Sequence, residues 1–219
     1  MSHVTLEASW CTIDIDTEAG KVVVIERWQY VWNVASARVP RWTLAEKRTF
    51  HARAEREIWN AWSNRAHLKV EGSSDFAKRF RGREIPVFMD IRWVLAKPHW
   101  TVEVMKIPDD GFIRSKVPWG SQTIRLDTND FKTRTTCFGA DKPLCVSQIP
   151  IAHEFGHTLG SVRDAMANLD EYRKQSEHGA DVHSIMHRGS QLRDRHFEQL
   201  LTELYDLIPE TSFSVGRLQ

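Results

Sequence analysis

The chain has 219 residues, 41% of them hydrophobic and 27% charged, which is ordinary globular composition and enough to bury one substantial core. Its 30 Lys and Arg against 29 Asp and Glu leave a formal charge of +1, so the charge balance gives no reason to expect nucleic acid or an anionic membrane surface as a partner. The opening MSHVTLEASWCTIDIDTEAGK has no basic n-region and no continuous apolar stretch, so neither a secretory signal nor membrane insertion is expected.

No internal repeat or low-complexity linker divides the chain, and residues 1–219 read as a single domain. Residues 10–34 alternate apolar and polar side chains on either side of Glu18-Ala19-Gly20, the pattern of a hairpin. Thr43 can cap a long helix whose Phe50, Ala54, Ile58, Ala61 and Trp62 fall on one face; His51 within it is expected to be structural. Strand-like runs follow at His67–Glu71, Glu84–Leu95 and His99–Ile107, then a turn at Asp109-Asp110-Gly111 and another strand at Gln122–Asp127. A short helix near residues 150–160, a polar stretch and a last helix around Gln191–Leu207 complete the order. Strands set between helices predict an α+β fold, a mixed sheet packed on helices.

Nine tryptophans are present, and their helix and strand spacing assigns most to the core, with Trp119 set apart in a loop before the motif helix. Of the three cysteines, Cys137 and Cys145 flank a turn-like segment, CFGADKPLC, and are candidates for a loop disulfide of the kind that forms in an oxidising compartment. Cys11 is expected to pack as a small hydrophobe.

The chemistry concentrates in IAHEFGHTLG, residues 151–160. Helical residues four apart stack on one face, so His153 and His157 present two imidazoles to one point, at a spacing that suits zinc. Glu154 projects beside them, placed to act as a general base without being a ligand. Gly160 can end the helix in a left-handed conformation. Downstream, Ser184-Ile185-Met186 offers a methionine as an apolar floor beneath the imidazoles.

HExxHxxG followed by such a methionine turn resembles the metzincin metallopeptidases, whose third ligand is a His or Asp three residues after the glycine. That place is held here by Arg163, which cannot bind zinc. The remaining candidates are Asp164, Glu171, Glu177, His178 and His183; His183 is favoured because whatever anchors Met186 under the metal also delivers its neighbour. The layout HEFGHTLG, Asp170-Glu171-Tyr172, HSIMHRG and LRDRHF is also similar to zinc-metallopeptidase effector domains attached to type VI secretion spike proteins of the VgrG kind, over residues 148–200. In that family a ligand-type side chain immediately precedes the Ser-x-Met, the place of His183. The resemblance implies an antibacterial toxin made in the cytoplasm, delivered by a spike protein, active in the target periplasm and matched by an immunity protein.

The expected chemistry is zinc-assisted hydrolysis of a protein or peptide substrate, with Tyr172, Arg195 or His196 as candidate electrophilic donors and Gln122–Asp127 as the edge strand on which substrate pairs. A hydrolase of cell-wall peptide stems uses the same chemistry, and a binding module that keeps zinc for stability is the non-catalytic alternative.

Overall fold

A computed structural model describes residues 3–160, 170–174, 176–205 and 207–219. The chain opens with three antiparallel strands, β1 (His3–Glu7), β2 (Thr12–Asp16) and β3 (Lys21–Val34). The hairpin expected over residues 10–34 is the β2–β3 pair. Helix α1 (Leu44–Trp62) begins in a capping box: the Thr43 side chain accepts from the Glu46 N–H, and the Glu46 carboxylate accepts from the Thr43 N–H. Its Phe50, Ala54, Ile58 and Trp62 are buried, with Ala61 at the margin.

Then come β4 (Ala66–Gly72), the short α2 (Asp75–Phe80), β5 (Glu84–Trp93) and β6 (Trp100–Lys106). They are followed by β7 (Thr123–Asp127), a small hairpin of β8 (Arg134–Phe138) and β9 (Leu144–Gln148), and the motif helix α3 (Pro150–Thr158). The expected helix over Gln191–Leu207 is shorter: Asp194–Phe197 is a 3-10 turn, and only α4 (Glu198–Leu204) is α-helical. A final strand, β10 (Thr211–Leu218), pairs antiparallel with β4.

Eight strands form one mixed sheet, so the α+β class holds. Its order is β1-β2-β3-β5-β4-β10, with β6 pairing the second half of β3 and β7 pairing β6. The β3–β5, β3–β6 and β6–β7 pairs are parallel. Strict alternation along β3 sends Val22, Val24, Glu26, Trp28 and Tyr30 to the buried face that carries α1 and α3. Trp10, Trp28, Trp62 and Trp100 are fully buried in the core. Among the described residues, no helix is long and apolar enough to cross a membrane.

The edge of the sheet differs from expectation. Beyond β7 the chain at Lys116 forms an antiparallel bridge with Arg125, N–H to carbonyl in both directions. The centre of β7 is therefore already paired, and the segment around residues 113–117 is the outer element on that side.

Candidate metal centre

Helix α3 is clamped on several sides. Pro150 occupies its first turn, where a missing N–H costs nothing. The Trp62 indole donates to the Ala152 carbonyl at 2.9 Å, and the Trp119 indole donates to the His157 carbonyl at 2.6 Å. Trp119 is thus a brace on the motif helix. Gly156 has no room for a side chain: a Cβ there would lie 2.3 Å from the Met186 sulfur and 2.7 Å from the Trp62 ring. Met186 is fully buried and lies against the motif helix at Gly156, between the two histidines in sequence. Gly160 takes φ +72°, as a left-handed helix end requires.

At the other end of α3 a buried carboxylate gathers four elements. Asp130 accepts from Ser115 Oγ at 2.6 Å, from the Asp127 N–H at 2.8 Å and from Arg134 at 3.2 Å, while its backbone carbonyl accepts from the Ile151 N–H. Burial, together with the neighbouring Asp127, pushes its pKa up to about 7.

His153 and His157 converge as their spacing predicted, with Nε2 atoms 3.2 Å apart. The third ligand-type side chain beside them is Asp170, whose Oδ1 lies 2.9 Å from His153 Nε2 and 3.2 Å from His157 Nε2. A tetrahedral zinc with bonds near 2.0–2.1 Å separates its ligand atoms by about 3.3 Å, so these three atoms are spaced as one metal ion requires.

Proton accounting points the same way. His153 Nδ1 donates to the Ile185 carbonyl at 2.7 Å, a bond seconded by the Gln148 amide, which donates to the same oxygen at 2.7 Å. That bond places a neutral ring's lone pair on Nε2, aimed at the Asp170 carboxylate, so the position between the two suits a cation, either a proton on Nε2 or a metal ion. Burial alone would depress the His153 pKa, but the Asp170 hydrogen bond and the Glu154 and Asp170 charges raise it. The Asp170 carboxyl, although buried, is held far below the usual carboxylate range by its hydrogen bonds with the two imidazoles.

Glu154 is buried beside this cluster, and its Oε2 has no hydrogen-bond partner among the described residues. Desolvation raises its pKa, with the two histidines pulling the other way. An unsatisfied buried carboxylate oxygen is costly and calls for a ligand or a functional role.

The other candidates fall elsewhere. His183 is exposed, and its carbonyl accepts from the Gln191 N–H. Asp170, not His183, is the side chain that the chain returns to the imidazoles. Asp164 and Arg163 lie outside the described residues. Glu177 is exposed and paired with His178 at 3.7 Å. Glu171 turns away from its neighbour to meet Arg195 through two bonds of 2.7 and 2.9 Å, with His196 3.5 Å off. This ion pair occupies Arg195 and His196, two of the three residues suggested as electrophilic donors, and fixes the segment carrying Asp170. Tyr172, the third, stays near the cluster: Arg114 donates to its hydroxyl at 2.9 Å and to Asp170 Oδ2 at 3.0 Å. Burial and a hydrogen bond with Asp170 push its phenol up to about 12.

Cys137 and Cys145 are directly opposed in the β8–β9 hairpin and form a disulfide. The hairpin leads straight into Gln148 and α3, and Phe138 packs edge-on against His187. Cys11 is buried and free.

His153, His157 and Asp170 are thus brought together as a group that can hold a metal ion. Comparison with protein-family models, with curated proteins and with solved structures gives no match.

Proposed function

We propose that this chain is a zinc-dependent metallopeptidase of metzincin-like build, with His153, His157 and Asp170 as protein ligands and Glu154 as the general base. The observation that carries the reading is the convergence of three lone-pair atoms within 3.2 Å of one another beside a buried carboxylate oxygen that has no partner among the described residues. Two imidazoles and one carboxylate suit zinc, and three protein ligands leave the fourth position open, as in catalytic rather than structural sites.

Zinc in this position supplies Lewis acidity, acidifying water and polarising a substrate carbonyl. Glu154 takes the proton of the attacking water and passes it to the departing amine; its raised pKa suits both halves of that exchange. The second oxygen of Asp170 is held by Arg114, which keeps the carboxylate's orientation fixed. The Tyr172 hydroxyl, held by Arg114 beside the cluster, is a candidate donor to a developing oxyanion.

The resemblance to spike-borne effectors extends the proposal to an antibacterial toxin acting in the periplasm of a target cell, with a secretion spike and an immunity protein as partners. An oxidising destination accords with the Cys137–Cys145 disulfide. The test compares wild type with Glu154→Gln for zinc content, cleavage of an unfolded protein and toxicity when exported to the periplasm. The variant is expected to keep one zinc per chain and to lose cleavage and toxicity together. Full toxicity in a zinc-loaded Glu154→Gln chain would end the catalytic reading.

A further inference from the structure

The charge of the chain as a whole is nearly balanced, but around Tyr172 it is not. Arg114 bonds the Tyr172 hydroxyl, the Arg173 guanidinium lies 5.9 Å from the ring centroid, and the Arg188 guanidinium lies 5.1 Å from it. Arg188 also lies 5.9 Å from the Phe138 ring on the disulfide hairpin, which ties that hairpin to the same patch.

The carboxylates of the region are distributed unevenly. Glu171 and Asp181 are taken by Arg193 and Arg195. Arg114 and Arg173 share a single carboxylate, Asp170, at 3.0 and 3.6 Å. No carboxylate among the described residues pairs with Arg188, whose partners are the two aromatic faces. Asp170 is also the ligand that a metal would claim. With a divalent ion in place, Asp170 and Glu154 are the carboxylates among the described residues that oppose it and three guanidiniums, and since Arg114 and Arg173 are about half exposed the surplus charge is open to salt. Guanidinium groups laid on aromatic faces keep their N–H edges free for a carboxylate.

We propose that this arginine rim selects substrate: the site takes an extended peptide carrying a carboxylate side chain within a few residues of the scissile bond, and Arg188 is its principal specificity determinant. The proposal rests on the metallopeptidase reading above and adds the substrate class. An extended chain advances about 3.3 Å per residue, so a side chain a few positions from a carbonyl at the metal reaches the Tyr172–Arg188 patch.

The test uses zinc-loaded full-length protein and three dipeptide hydroxamates that differ only in one side chain, Glu, Gln or Lys, with affinity read by calorimetry at low and high salt. The expected order is Glu, then Gln, then Lys, with Glu favoured over Gln by roughly 3–10-fold and the gap closing as salt rises. Arg188→Gln should bring the Glu and Gln compounds within about twofold of each other, and Arg188→Lys should keep the order. Equal affinities for the three compounds, or a preference for Lys, would overturn the proposal and leave the metal site standing. Failure of all three to bind a chain that holds its zinc would overturn the metallopeptidase reading itself, and this proposal with it.

Discussion

Asp170 Oδ1 lies 2.9 Å from His153 Nε2, although the two residues are 17 apart in sequence. On the metallopeptidase reading the contact makes Asp170 the third ligand, and it separates two variants that the sequence alone would rank in the opposite order. Asp170→Ala should lower zinc affinity by more than the ~10–100-fold typical of losing an outer partner of a ligand. His183→Ala, at an exposed side chain, should leave the stoichiometry at one zinc per chain. Metal analysis of both dialysed proteins decides the matter, and loss of zinc only from His183→Ala would refute the assignment.

Gly156 and Met186 make a second prediction. Since a Cβ at Gly156 would come within 2.3 Å of the Met186 sulfur and 2.7 Å of the Trp62 ring, Gly156→Ala must push the methionine floor away from the helix. Overpacking of this kind costs about 1–3 kcal/mol. A urea titration should show the lower midpoint with an unchanged slope. Met186→Ala in the same background should recover part of the loss, because it removes the atom in conflict.

The parts of this protein legible in the sequence are those whose signal is local. The Thr43–Glu46 capping box and the stripe from Phe50 to Trp62 define α1, alternation defines β3, and the four-residue spacing of His153 and His157 defines half of the site. Asp170 was not legible as a ligand because its position depends on how the chain returns, and that return is fixed by Glu171 with Arg195 and by the Glu171 N–H bonding the Met186 carbonyl. The Asp170-Glu171-Tyr172 triplet is the available sign, and in it the sequence does not distinguish Asp170 from Glu171 as the ligand. The same Glu171 carboxylate engages Arg195 and lies 3.5 Å from His196, two of the three candidate electrophilic donors. Strand β10 escaped because its side chains are mostly half-exposed and its order comes from backbone pairing with β4. The edge of the sheet was misplaced because a single bridge, Lys116 to Arg125, carries no sequence pattern.

The β8–β9 hairpin stands apart from the eight-stranded sheet, and a two-stranded hairpin is at best marginally stable by itself. Its Cys137–Cys145 disulfide closes a short loop, which by loop entropy is worth about 2–3 kcal/mol to that hairpin. Cys137→Ser with Cys145→Ser, or reduction of the wild type, should therefore open the exposed 139–144 turn to limited proteolysis. The core should stay intact, with near-unchanged tryptophan fluorescence from Trp28, Trp62 and Trp100. Because Gln148 closes the hairpin and seconds the His153 bond to Ile185, zinc affinity should also fall in the reduced protein. Equal proteolysis of the oxidised and reduced forms would count against the staple.

Glu26 is fully buried beneath the motif helix, and burial pushes its pKa up to about 8 against hydrogen bonds that pull it down. The hydrogen bonds around it are satisfied when it is neutral. Thr158 Oγ1 lies 2.6 Å from the Phe155 carbonyl and 2.5 Å from Glu26 Oε1, and one hydroxyl proton cannot serve both. With Thr158 donating to Phe155, a protonated Glu26 donates to Thr158, and its other oxygen accepts from the Trp28 indole at 2.7 Å. The folded state then binds a proton that the unfolded chain, with a carboxyl near 4.5, releases. This contribution is complete below pH ~4.5, falls between about 4.5 and 8, and is lost above 8. Glu26→Gln reproduces the neutral network, its amide donating to Thr158 and its carbonyl accepting from Trp28. Other titrating groups are common to both proteins, so the difference in unfolding free energy between variant and wild type isolates Glu26. That difference should grow in favour of the variant by up to about 4 kcal/mol between pH 5 and pH 8. A difference that stays flat across this range in denaturant titrations would show that Glu26 is ionised in the fold, and that the proton between it and Thr158 belongs to the threonine.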